Sequence, residues 1–174
     1  MHLSMGAITL EVEPVSSAFA KLFDDADRLF TSFDPNIRDK MISDGAAYKK
    51  LLLEKWVSKF DLVKVSDADL AYLYGTTEEK LDLDAIAAEW LAAGSMPLFL
   101  VTRGSLGTVA YRKSGGPSLS VALDPVKVAD TVGAGDSYMG AFLCSLRTKG
   151  LLENGALAGE CCQFEWWPGF SSGF

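Results

Sequence analysis

Short apolar runs alternate along the chain with longer segments whose apolar positions return every third or fourth residue. Met5-Gly6-Ala7-Ile8-Thr9-Leu10 predicts a buried strand, and Pro14 opens a helix through about Asp25. Arg28 to Phe33 predicts a second strand, which runs out into the polar segment Asp34-Pro35-Asn36-Ile37-Arg38. Leu52 with Trp56, and Leu53 with Val57, are spaced as neighbours on one helix face and predict a helix from near Asp44 to Lys59. A third strand, Phe60 to Val65, exits through Ser66-Asp67-Ala68-Asp69 into a short helix that stops at Gly75. Leu83, Ile86, Ala87, Trp90 and Leu91 form one stripe of a further helix ending at Gly94. Met96 to Thr102 then reads as a strand, turned through Arg103-Gly104-Ser105-Leu106-Gly107 into a partner, Thr108 to Arg112. Beyond the turn Ser114-Gly115-Gly116-Pro117, Ser118 to Leu123 is a last short strand. An apolar helix follows the run Asp130 to Asp136 and closes at Arg147-Thr148-Lys149-Gly150 with basic residues and a capping glycine.

Strands alternating with helices predict an α/β fold, a mostly parallel sheet flanked by helices on both faces. In such sheets ligands gather at the carboxyl ends of the strands. The segments 34–38, 66–69 and 102–107 and the run 130–136 all lie just past a strand, so they are expected to share one rim. Of the 174 residues, 49% are hydrophobic and 22% charged, an ordinary balance for a globular chain that can bury one core. The net charge of −7 argues against nucleic acid and anionic membrane as partners. Cys144, Cys161 and Cys162 have neither disulfide nor metal-ligand spacing, and neither a leader nor a membrane span is visible, so the expected location is cytoplasmic. His2 is the single histidine, which makes histidine catalysis a poor expectation. Residues 151–174 hold no Lys or Arg and no sustained period, and read as a poorly ordered tail to a 1–150 unit.

The strongest chemistry is in Asp130-Thr131-Val132-Gly133-Ala134-Gly135-Asp136. Small residues let the backbone come close to a ligand, and a helix N-terminus offers unpaired N–H groups and the positive end of its dipole. Together they seat anionic oxygens. A carboxylate in that seat repels the anion, unless its work is to take a proton from a nucleophile while the amides stabilise a transferring phosphoryl group. A lone Gly-x-Gly before a helix is common, but the full Asp-Thr-x-Gly-Ala-Gly-Asp run resembles the signature of the ribokinase-like (phosphofructokinase B) sugar kinases. The resemblance implies that Asp136 is the catalytic base and that Gly133, Ala134 and Gly135 form the anion hole. It also implies a monovalent-cation site, for K+, bordered by Asp130 and Val132; side-chain fixing of the loop is the bland alternative for Asp130.

Other segments gain meaning beside that run. Thr102-Arg103-Gly104-Ser105-Leu106-Gly107 resembles the family's Thr-x-Gly-x-x-Gly loop and implies contact with the nucleotide phosphates; alone it is better read as a hairpin turn. Ser66 and Asp69 stand where the family has Asn-x-x-Glu, which implies a role around ATP and Mg2+, although Asp69 is one methylene shorter and Ser66 is also a good helix cap. Asp34-Pro35-Asn36-Ile37-Arg38 is similar to the Asp-x-Asn-x-Arg element of fructokinases and 2-keto-3-deoxygluconate kinases, which makes Asn36 and Arg38 candidates to touch sugar. A Pro or Asx turn with a solvated Arg is the plainer reading.

The resemblance runs from Gly6 to Gly150 and fits bacterial fructokinases best. It implies an ATP-dependent carbohydrate kinase transferring the γ-phosphoryl group to a sugar hydroxyl, with ATP, Mg2+ and K+ as cofactors and fructose as the favoured partner. It also implies a ribokinase-like fold truncated at the N-terminal half, without the lid through which family members often form homodimers. A 2-keto-3-deoxygluconate kinase is the alternative within the class. A truncated, non-catalytic nucleotide-binding chain is the alternative outside it.

Overall fold

The computed structural model of the chain describes residues 2–4, 7–24, 29–115, 118–123 and 130–152. The elements follow the expected alternation: β1 (His2–Ser4), α1 (Val15–Asp24), β2 (Ser32–Asp34), α2 (Gly45–Leu51), β3 (Leu62–Ser66), α3 (Asp67–Tyr74), α4 (Leu83–Ala92), β4 (Leu98–Thr102), β5 (Thr108–Arg112), β6 (Leu119–Val121) and α5 (Ala134–Thr148). One six-stranded sheet runs in chain order from β1 to β6. Strands β1 to β4 pair with one another in parallel, and β5 pairs antiparallel with both β4 and β6. Because β1 to β4 point the same way, Ser4, Asp34, Ser66 and Thr102 all end on one rim of the sheet.

The period of two along each strand divides the core. Phe33, Val63, Val65, Phe99 and Val101 face one side, where they join Phe23, Tyr48, Trp56, Leu70 and Trp90 of the α1–α4 layer. Leu62, Leu98 and Leu100 face the other side and meet Met139, with Tyr138 and Phe142, on α5. Both faces of β3 and β4 are therefore covered, which explains why these strands read as near-continuous apolar runs. The alternation also assigns the polar residues. Asp34, Lys64, Ser66 and Thr102 fall on the α5 side, because their neighbours Phe33, Val63, Val65 and Val101 fall on the other.

Several elements depart from the expected boundaries. The strand expected at Met5–Leu10 is instead His2–Ser4, and Ala7–Leu10 winds as a 3-10 turn with Leu10 buried. A short apolar run fits a strand or a buried turn equally well by periodicity, and sheet pairing made the choice. The helix expected over Asp44–Lys59 is realised as α2, then a π-helical turn Leu52–Trp56, then a 3-10 turn Val57–Lys59. Asp44 caps it by accepting from Ala47 N at 2.9 Å. Leu52, Trp56 and Val57 all reach the core, and the last turn brings Ser58 against the Gly94 backbone so closely that a Cβ at 94 would sit 2.7 Å from Ser58 Cα. Phe60, expected at the start of β3, lies before it and stacks on Phe33 with centroids 4.6 Å apart.

Gly107 shows what tight packing asks of the backbone. Its φ is +86°, and a Cβ there would lie 1.9 Å from the Val121 carbonyl oxygen on β6. Gly115 has φ +81° with open space around it. Gly107→Ala is expected to cost on the order of 2 kcal/mol or more, whereas Gly115→Ala should cost about 1 kcal/mol from backbone conformation alone. Urea unfolding of the two variants compares them directly, and equal losses would mean that β6 does not press on Gly107.

Candidate functional site

The site is built outward from β2 and β3. In their pairing Phe33 lies opposite Val63, so the next step along both strands brings Asp34 opposite Lys64. Lys64 Nζ donates to Asp34 Oδ2 at 2.7 Å, and the two side chains are only 6% and 4% exposed. Above this pair sits the first turn of α5: a methyl group placed on Gly135 would be 3.1 Å from Lys64 Nζ and 3.8 Å from Asp34 Oδ2. A side chain at position 135 would therefore press on the Lys64 ammonium group from above.

The loop before α5 has its own internal order. Val132 N–H donates to Asp130 Oδ1 at 3.0 Å, and Ala134 N–H donates to the Thr131 carbonyl at 3.1 Å. The bland reading of Asp130, fixing the loop by a side-chain hydrogen bond, is thus present in the structure. Gly133 caps the helix in the left-handed region, with φ 77° and ψ 1°, where a side chain is unfavourable. The helix starts at Ala134, so Gly135 and Asp136 belong to its first turn rather than to a loop before it. Ser137 N–H closes on the Gly133 carbonyl at 2.9 Å. Gly135 and Asp136 carry the other N–H groups of this first turn.

On the other side of the pair, the turn after β2 is tied at several points. Asp34 Oδ1 accepts from Asn36 N at 3.1 Å, and Asn36 adopts φ 41°, the single positive φ outside glycine among the described residues. Asn36 Oδ1 accepts from Arg38 Nη1 at 2.7 Å, so the exposed Arg38 fork is folded back over the turn. Asp69 reaches across from α3 and accepts from Ile37 N at 3.2 Å through Oδ1. Its Oδ2 accepts from Ser66 N at 3.4 Å, while Ser66 Oγ accepts from Asp69 N at 3.0 Å, a complete capping box. Ser66 is therefore a helix cap, and both oxygens of Asp69 already hold backbone N–H groups. Burial pushes the Asp69 carboxyl above its ordinary range, and the nearby Asp34 carboxylate pushes the same way.

The segment 102–107 attaches through the β3–β4 register, in which Ser66 lies beside Thr102. Thr102 Oγ1 points back to the Val65 carbonyl at 3.5 Å. Arg103 N–H closes the loop onto the Gly107 carbonyl at 2.8 Å, leaving Gly104, Ser105 and Leu106 as an exposed 3-10 turn. The packing of Gly107 against β6 shows the hairpin role of this loop directly. Segment 34–38 supplies Asp34 itself, 130–136 comes against the pair through the backbone of Gly135, 66–69 reaches the adjoining turn through Asp69, and 102–107 adjoins through the sheet. Lys64 and the pairing role of Asp34 escape motif reading. The available signal was a lysine inside Leu62-Val63-Lys64-Val65, where every neighbour is apolar.

The profile of the pfkB family carbohydrate kinases matches residues 5–164. The chain belongs to this family. The match continues past Gly150, so the family likeness does not stop at the boundary expected there; residues 153–174 lie outside the described ones. Among curated pfkB relatives, a fructokinase of Rhizobium leguminosarum bv. trifolii is 36% identical over 151 residues, covering 86% of this chain and 44% of that protein. The chain spans somewhat under half the length of the curated relatives it matches. Of solved structures, fructokinase from Vibrio cholerae with fructose, ADP and calcium bound matches with a TM-score of 0.64 and 28% identity over 90% of this chain and 50% of that one. Aminoimidazole riboside kinase from Salmonella enterica matches in fold, with a TM-score of 0.69 and 23% identity over 90% of this chain and 51% of that one. The ribokinase-like reading of the sheet is thereby established, as a partial fold. No helix among the described residues is long and apolar enough to cross a membrane.

Two expectations follow from the buried charges. Lys64→Met should destabilise the fold by about 3–5 kcal/mol, because it leaves Asp34 buried without its partner. Adding Asp34→Leu should recover most of that loss in a urea titration, and a still larger loss in the double variant would show that the charges are not a closed pair. Asp69 behaves in the opposite sense to a salt-bridged carboxylate. Its folded-state pKa lies above the unfolded value of 3.8, so its stabilising contribution is present below that value and fades as pH rises through the folded one. Asp69→Asn is therefore expected to gain stability relative to wild type between about pH 3.5 and pH 7. Thermal midpoints across that range check it, and a constant difference would show that the carboxylate charge is not penalised.

Proposed function

We propose that this chain handles nucleotide and phosphoryl group in an ATP-dependent sugar kinase of fructokinase type, with Asp136 as the base. One observation carries the reading: Gly135 and Asp136 occupy the first turn of a fifteen-residue helix, directly above a buried lysine and at the carboxyl rim of a parallel sheet. Amides at a helix end stabilise charge on a phosphoryl group in transit, and an aspartate one residue further on is placed to take the proton of an attacking hydroxyl. Asp136 is exposed at that rim, where a sugar can reach it. Asn36 and Arg38 form the neighbouring wall and suit hydroxyl or carboxylate oxygens. Thr102 to Gly107, with Ser66, lie on the opposite flank as the nucleotide side.

The described residues contain no cluster of three or more His, Cys, Asp or Glu that could hold a metal ion. Mg2+ in this reading rides on the nucleotide phosphates and water, where it neutralises charge, and Asp69 acts on it only through the loop it holds. Asp130 through its carboxylate and Val132 through its carbonyl are the groups that would border a K+ ion. Fructose is the favoured acceptor and 2-keto-3-deoxygluconate the runner-up. A nucleotide-binding chain without turnover is the alternative from another class.

Joined in cis to the N-terminal half of a fructokinase relative, the chain is expected to phosphorylate fructose, and Asp136→Asn should lower turnover by at least ~10²-fold with little change in ATP affinity. Coupled ADP release with each sugar measures this. Near-normal turnover in the variant would remove Asp136 from the mechanism, and ATP binding without any turnover would favour the non-catalytic reading.

A further inference from the structure

A buried ion pair is seldom a source of net stability, since well-packed apolar residues of similar volume do as well or better. The Lys64–Asp34 pair therefore calls for another explanation, and its contacts offer one. Lys64 Nζ lies 2.7 Å from Asp34 Oδ2 and would be 3.1 Å from a Cβ on Gly135, so the pair abuts the backbone of the phosphoryl-side turn. The second oxygen of the same carboxylate holds Asn36 N at 3.1 Å, and Asn36 in turn holds Arg38 Nη1 at 2.7 Å. Asn36 keeps a φ of 41°, a conformation that persists only where the surroundings over-determine it. Asp69 anchors the adjoining Ile37 N at 3.2 Å from the other side. One carboxylate is thus shared between the two walls of the site.

We infer that the Lys64–Asp34 pair is a positioning device that fixes the acceptor-side turn, Asp34 to Arg38, against the Gly133–Asp136 end of α5. The inference rests on the kinase reading for its purpose, but its geometry can be tested apart from that reading. Neither Lys64 nor Asp34 touches a reacting atom. Lys64 lies beneath Gly135, and Asp34 Oδ1 and Oδ2 are both engaged. Their effect passes through the relative placement of Asn36, Arg38 and Asp136, and a small misplacement of reacting groups costs rate steeply. The same contact is tight for a side chain at 135, because a Cβ there would lie 3.1 Å from the Lys64 ammonium group and press it by a few tenths of an ångström.

The test uses Lys64→Met, Asp34→Asn and the apolar double Asp34→Leu/Lys64→Met, with Lys50→Met on the exposed face of the Lys50–Glu54 pair as a control. In 15N-labelled chain, the Asn36 and Gly135 amide resonances are expected to move together in all three site variants and to stay in place in the control. The double variant should regain its thermal midpoint while both resonances remain displaced. In the cis-joined enzyme it should still lose at least ~10-fold in kcat and raise the KM for sugar more than that for ATP. A double variant that regains midpoint, resonances and kcat together would reduce the pair to a packing element and overturn the inference. Unmoved amides in Asp34→Asn, which changes charge with little change of shape, would overturn it as well. If Lys64→Met alone does not fold, the other two variants decide. If the wild type transfers phosphate to no sugar, the kinase reading falls, and the amide comparison still decides whether the pair positions the two walls.

Discussion

The buried contact between Lys64 and Asp34 is the constraint on which the rim of this sheet depends. Two unit charges held at 2.7 Å and shielded from water on nearly every side must remain together, because separating them would strand a charge in the interior. Their partnership requires β2 and β3 to be parallel and in the observed register. A shift of one residue would turn Lys64 into the aromatic layer around Phe33 and Phe60. Above the pair lies Gly135, where a Cβ would come within 3.1 Å of the Lys64 ammonium group. Sheet register and the close approach of the first turn of α5 thus meet at one pair.

From this arrangement the chemistry of the rim follows. The α1–α4 side of the sheet is apolar and saturated with aromatic contacts, including Trp90 on Phe99 with centroids 5.2 Å apart. It meets the rim at the start of α3, where Asp69 holds Ile37 N. The α5 side is apolar from the amino ends of β3 and β4 to their middle, where Leu62, Leu98 and Leu100 meet Met139 of α5, and becomes polar toward their carboxyl ends. A helix packed on such a face is anchored by its later turns and presents its first turn at the polar margin. Tyr138, whose hydroxyl burial raises its pKa, marks the place where one environment gives way to the other. Asp136 falls on the wet side of that margin and Met139 on the dry side.

Capping accounts for several residues that motif comparison alone would assign to ligand. Ser66 and Asp69 satisfy each other's backbone N–H groups at the start of α3, and Asp69 reaches on to Ile37. Asp130 does similar work for Val132. These are ordinary local solutions to the orphan donors of helix ends and turns. They also leave the loops preorganised, which is what a site that must place two substrates requires. A structural role and a role at the rim are therefore compatible for the same side chain.

Much of this was legible in the residues themselves. The order of strands and helices, the hairpin partner Thr108–Arg112, the stop at Gly75 and the anion-seating run before α5 are all local properties, set by periodicity, turn residues and backbone freedom over a few positions. Ser66 as a cap was readable for the same reason. The tertiary structure alone decided the rest. It placed the first strand at His2–Ser4 rather than at the apolar run Ala7–Leu10, because strand pairing is a contact with Ser32–Asp34 that no local pattern encodes. It wound Leu52–Trp56 into a π turn that buries Leu52 and Trp56, where the sequence spacing reads as a plain helix. Above all it joined Asp34, Lys64 and Gly135. Each of these residues has an ordinary local reading, as a turn former, a strand interruption and a loop glycine. Their common role exists only where parallel pairing and the packing of α5 bring three distant segments within a few ångströms.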